Sequence, residues 1–102
     1  MSTIYLSGPI TGHDNWKDIF NAKAAELSED YKVINPVDVS EELEAEFAAA
    51  GLGSPRYEDY IRRDLHRLLD CDAIFMLPGW TESTGAALEH DIAKTVGLEV
   101  ME

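Results

Sequence analysis

Two carboxylates stand where helical spacing asks for apolar side chains. From Arg56 to Leu69, residues Tyr57, Tyr60, Ile61, Leu65 and Leu68 recur as one apolar stripe. At roughly 100° per residue, Asp64 falls in the middle of that stripe, while Arg62, Arg63, His66 and Arg67 lie on the other side. The last helical stretch repeats the conflict. Gly85, Leu88, Ile92, Ala93 and Val96 define its inward stripe, Glu89 lies between Val96 and Ala93, and His90, Asp91 and Lys94 point outward. An acid on a core-facing stripe must be paired, hydrogen-bonded or placed at a pocket. A structural pair, such as Asp64 with an arginine, would explain either acid alone. Two inward acids favour a pocket, the more so because Glu89 is in the first two turns of its helix, where the positive helix end favours an ionised carboxylate. Gly85, one turn earlier, leaves room for a ligand. Two carboxylates across a small pocket suit glycosidic chemistry: one attacks the anomeric carbon or activates water, and the other manages a proton. The positive charge that develops on the sugar is stabilised by the nearby carboxylate.

Other side chains admit two readings each. Tyr5 could orient a carboxylate or simply fill the core. Trp80 could stack on a base or pack on its own loop. Ser83 could hydrogen-bond a ligand hydroxyl, cap the following helix, or both. His13, His66 and His90 lack metal-ligand spacing and read as solvated. The single cysteine, Cys71, excludes an intramolecular disulfide and a Cys-based zinc site, and reads as a small buried residue. There is no P-loop and no GxGxxG, so neither a metal nor an organic cofactor is expected.

These residues need elements to position them. Residues 3–7 read as a strand, followed by the turn-rich loop GPITGHDN. Asp14 or Asn15 can cap a helix running to about Ser28, with Trp16, Ile19, Phe20, Ala24 and Leu27 at helical spacing. Tyr31 to Asn35 reads as a second strand stopped by Pro36, and Ser40 as the cap of an acidic helix ending at Gly51. Ser54-Pro55 suggests the start of the helix that carries Asp64. Residues 72–77 form a continuous apolar run, typical of a parallel strand buried on both faces. After the loop PGWTES, Ser83 or Thr84 can cap a helix to Val96, with Gly97 as its C-terminal cap and Leu98 to Met101 as a last strand. Alternating strands and helices imply right-handed crossovers and a parallel sheet. The expected fold is a single α/β domain over residues 1–102, a flavodoxin- or Rossmann-like doubly wound parallel sheet of strand order 2-1-3-4 flanked by helices. Ligands bind such sheets beyond the C-terminal strand ends where the order reverses. That places residues 8–14 beside residues 78–83.

The formal net charge is −12, from eight Lys and Arg against twenty Asp and Glu. Such a surface repels polyphosphate and anionic membranes, so a nucleic-acid polymer or a membrane is not an expected partner. A small neutral ligand fits this field better. The opening residues lack a basic segment before a long apolar run, and no stretch is long enough to span a membrane, so a cytoplasmic location is the expectation. One small domain buries a modest core, which makes self-association plausible.

The stretches YLSGPITG, NP at residues 35–36, DLHRLLDCDAIFMLPGW and STGAALE resemble the nucleoside 2-deoxyribosyltransferase superfamily, most closely its small, often phage-borne branch. The likeness runs from Ile4 to about Val100. It implies a flavodoxin-like fold and glycosyl transfer or hydrolysis at N-glycosidic bonds, without a cofactor. It assigns the nucleophile to Glu89, the acid that protonates the leaving base to Asp64, and the tyrosine near the nucleophile to Tyr5. It puts a substrate contact on Ser83 and matches Asp72 to an acid at the start of the third strand. Ser7, Gly8, Pro9, Ile10 and Gly12 of the first loop, with Gly79, Trp80 and Gly85, are candidate substrate contacts from their place at the crevice. Members complete their pockets with a neighbouring subunit, so a homodimer or larger homo-oligomer is implied. Nucleotide-hydrolysing members resemble GSIRG in the first loop. Here GPITG puts Thr11 in the arginine's place, which together with the negative surface favours a nucleoside over its 5′-phosphate. The reading from another class is a module that binds a nucleotide-like ligand without turning it over. A third is a structural oligomer in which Asp64 and Glu89 are merely paired.

Overall fold

A computed structural model describes residues 1–102. The chain runs β1 (Thr3–Ser7), α1 (Trp16–Leu27), β2 (Lys32–Ile34), α2 (Pro36–Ala49), α3 (Tyr57–Leu69), β3 (Ala73–Met76), a 3-10 turn at Trp80–Glu82, α4 (Thr84–Thr95) and β4 (Glu99–Met101). The four strands form one sheet in the order β2-β1-β3-β4, and every pairing is parallel. This is the doubly wound α/β fold expected from the alternation of elements.

Strand alternation sorts the core into two layers. Leu6 of β1 packs with Phe20, Val37 and Leu77 on the α1 side. Tyr5 packs with Leu68, Cys71, Ile74, Ala86 and Ala93 under α3 and α4. Helix α2 contacts both α1 and α3, so it bridges the two layers. Just past the central strands the backbones approach closely: a Cβ on Gly8 would stand 2.7 Å from Leu77 Cβ. Only glycine fits there without displacement.

Several element boundaries depart from the sequence reading. Pro36 does not merely stop β2; it is the first residue of α2. The Asn35 side chain accepts a hydrogen bond from Val37 N–H at 3.1 Å, so α2 begins four residues before the expected Ser40 cap. Asn-Pro is here a cap followed by proline at the first helical position. Helix α3 starts at Tyr57, where the Asp59 carboxylate accepts from Arg56 N–H at 2.9 Å, rather than at the Ser54-Pro55 pair. Ser83 does cap α4, accepting from Ala86 N–H. Gly97, at φ +84°, ends that helix by letting Leu98 N–H turn back to Ala93 O. The inward face of α4 is also shifted. Ala86, Glu89 and Ala93 are buried, whereas Leu88 and Val96 are exposed, because the helix seats its small residues against the sheet. No helix is long and apolar enough to cross a membrane.

Candidate active site

Tyr5 and Ser7 are two residues apart on β1, so their side chains leave the same face of the sheet. That face is the one α4 covers, and the residue it presents is Glu89. The Tyr5 hydroxyl donates to Glu89 Oε2 at 2.7 Å, and the Ser7 hydroxyl donates to Oε1 at 2.6 Å. All three side chains are buried. Both carboxylate oxygens are therefore held, and the plane of the group is fixed. Burial raises the Glu89 pKa, and the two hydroxyl donors oppose the shift. Burial, then the neighbouring carboxylates, raise Tyr5 well above its ordinary value, so the phenol remains a donor.

Asp64 reaches the same place from α3. It is buried, and its pKa is pushed up to about 8, first by burial and then by the charge of Glu89. No arginine neutralises it. Arg63 forms a two-bond pair with Glu46 at 2.7 and 2.9 Å, and Arg67 pairs with Glu42, both on α2. A structural Asp64–Arg pair, the simpler sequence explanation, is not what the fold makes. Burial therefore raises both acids, but only Glu89 has hydroxyl donors that oppose the rise, so of the two Asp64 is the one more inclined to keep a proton.

Both acids line one cavity of about 480 Å³, above the C-terminal ends of β1 and β3 where the strand order reverses. Gly8, Ile10, Ser83 and Gly85 line it as expected. Ser7 contributes through Glu89 rather than through the wall. A second cavity of about 510 Å³ adjoins the first, sharing Thr11, Tyr57, Ser83 and Gly85, and Pro9, Gly79 and His13 lie along it.

Three expected contacts lie elsewhere. Asp72 is at the opposite end of the sheet, where its carboxylate accepts from Thr3 N–H at 2.9 Å and ties β1 to the start of β3. Gly12 lines neither cavity; its φ of +82° serves the turn. Trp80 is turned away from the cavities. Its indole stacks on His90 at 4.1 Å and donates to Glu102 at 2.8 Å. His90 is consequently not the solvated residue its helix position suggested.

The wall also contains residues the sequence reading did not assign: Thr11, Trp16, Lys17, Ser40, Glu44, Tyr57, Tyr60 and Ile61. Tyr57, Tyr60 and Ile61 are the first half of the α3 stripe. That stripe is core only in its second half, and the density of tyrosines at its start was the available signal. Ser40 and Glu44 had no signal, since α2 was expected to begin later and its site-facing side was not defined.

The fold and site thus define a doubly wound α/β protein with a hydroxyl-held carboxylate and a second, unpaired buried acid at the reversal point of its sheet. Its sequence matches, over residues 2–102, the family described as Domain of unknown function (DUF4406), and the chain belongs to that family. Among curated proteins, none matches it.

Proposed function

We propose that this protein cleaves, or transfers across, the N-glycosidic bond of a nucleoside. The observation that carries the reading is the state of the two acids. Glu89 has both oxygens fixed by hydroxyl donors, and Asp64 stands buried in the same cavity without a hydrogen-bond or ion-pair partner. That is the division of labour a retaining glycosidase needs. Glu89 attacks C1′ of the sugar. Asp64 donates its proton to the base nitrogen as the C1′–N bond breaks and its electron pair leaves with the base. A glycosyl ester on Glu89 remains. Water, or a second base, then attacks C1′ and gives its proton to Asp64, which restores both groups. Tyr5 and Ser7 act through Glu89 by holding its plane. The resemblance of YLSGPITG and STGAALE to the nucleoside 2-deoxyribosyltransferase superfamily supports the same roles and favours deoxyribose. Trp16, at the cavity wall, takes the base-stacking place first assigned to Trp80.

A homo-oligomer belongs to the same reading. Leu69 on α3 is 53% exposed, and Leu88 and Val96 on the adjacent α4 are 42% and 51% exposed. Copies carrying −12 each meet with least repulsion where apolar surface adjoins a free cation, and Arg62 of α3 has no ion pair within the chain.

The test is chromatography of 2′-deoxynucleosides, ribonucleosides and their 5′-monophosphates after incubation, with and without a second free base. Release of base that is lost in Glu89→Ala supports cleavage, and a new nucleoside that requires added base makes the protein a transferase. Intact substrates beside a nucleoside-dependent thermal shift would replace the enzyme with a binding module.

A further inference from the structure

The cavity has a second polar group of residues, away from the Tyr5–Ser7–Glu89 floor. Lys17 comes from the first turn of α1, Glu44 from the middle of α2, and Tyr60 from the first turn of α3. The Tyr60 hydroxyl donates to Glu44 Oε2 at 2.6 Å, which orients the carboxylate and leaves Oε1 free to accept. Lys17 is the one Lys or Arg in the cavity wall, and it forms no ion pair. Its ammonium lies over the Trp16 ring, 5.9 Å from the centroid, so a cation–π contact holds the charge at the cavity wall. In a chain with twenty acids, this lysine shares a cavity with an exposed glutamate and does not pair with it. The cavity is thus offered a charged donor from α1 and a charged acceptor from α2, neither neutralised by the other.

Resting on the nucleoside reading, we propose that Lys17 and Glu44 select bases that carry a ring N–H beside a carbonyl. The carbonyl accepts from the Lys17 ammonium and the ring N–H donates to Glu44. Hypoxanthine, guanine, uracil and thymine present that edge. Adenine and cytosine present an amino group beside a bare ring nitrogen, the reverse polarity. Seated in the same place, they set an N–H against the ammonium and a lone pair against the carboxylate, so both walls reject them.

The experiment uses near-isosteric pairs: 2′-deoxyinosine against 2′-deoxyadenosine, and 2′-deoxyuridine against 2′-deoxycytidine. Dissociation constants and rates of base release are measured for each. The wild-type protein is expected to prefer the first member of each pair by about tenfold or more, as for a hydrogen bond to a charged group. Lys17→Met and Glu44→Ala are expected to bring both ratios close to one. Glu44→Gln supplies an N–H that the bare ring nitrogen can accept, and is expected to improve deoxyadenosine and deoxycytidine binding above wild type. That gain cannot come from misfolding. Nucleosides bound and cleaved with no preference, or with the opposite one, overturn the selection while the glycosidase reading stands. If no nucleoside binds and none is cleaved, both fall together.

Discussion

Glu89 and Asp64 bear the same functional group in one cavity, yet their surroundings separate them. Burial raises both, but Glu89 receives two hydroxyl donors that oppose the rise, whereas Asp64 receives none and is pushed up to about 8 by burial and then by the charge of Glu89. Base release is therefore expected to need an ionised Glu89 and a protonated Asp64. The rate falls as pH rises through about 8, and the basic limb of the profile disappears in Asp64→Asn. Stability follows the same proton. The folded state retains it up to a pH of about 8, whereas an unfolded aspartate releases it near 3.9. Asp64 thus costs stability increasingly as pH rises through that window and costs least below it. Asp64→Asn is expected to melt at a higher temperature than wild type at pH 9, with the difference shrinking toward pH 5; thermal melts at both pH values check this. Tyr5→Phe leaves Glu89 Oε2 without its donor, costs about 1–3 kcal/mol of stability, and moves the acid limb of the rate profile to higher pH.

Capping residues bring these side chains together at the scale of elements. Ser83 starts α4 six residues before Glu89, and its hydroxyl accepts the Ala86 N–H. Ser83→Ala is expected to cost about 1 kcal/mol, read as a lowered denaturant midpoint. Asn35 caps α2 and also donates to the Asn21 side chain of α1 at 2.9 Å, so it fixes the two helices that carry Glu44 and Lys17. Asn35→Ala is expected to cost more than Ser83→Ala, since the side chain is buried and serves two partners. Local signals made much of this legible. The acid in the α3 stripe and the Gly97 stop can each be read from spacing alone, and the α4 cap can be narrowed to Ser83 or Thr84, between which the structure chooses Ser83. The start of α2 was not, because a proline after a strand reads equally as a strand stop and as a first helical residue.

The whole molecule adds what no single element contains. The exposed Leu69, Leu88 and Val96 belong to helices that are neighbours only because β3 places them on one face of the sheet. Leu88→Lys is expected to shift the protein toward monomer in sedimentation equilibrium. Because each copy carries −12, added salt is expected to strengthen association by screening like charges. An association that salt weakens would place the contact on opposite charges instead.

Periodicity by itself determined the alternation of strands and helices and the two acids that face inward, because each rests on residue spacing within one segment; the strand order followed from the rule that such an alternation folds through right-handed crossovers into a doubly wound parallel sheet. The resemblance could attach roles to those acids, but neither it nor loop position placed every candidate contact. Asp72 precedes β3, so a parallel sheet puts it at the end remote from the cavity. Trp80 follows β3 at the correct end, yet it spends its ring on His90 and its N–H on Glu102. Only the tertiary structure decided that Tyr5 and Ser7 both hold Glu89, that Asp64 has no arginine, and that Lys17, Glu44 and Tyr60 line one cavity. The physical reason is that each of these is a meeting of side chains from separate elements. Such meetings depend on how helices seat on a twisted sheet, and sequence spacing does not record that.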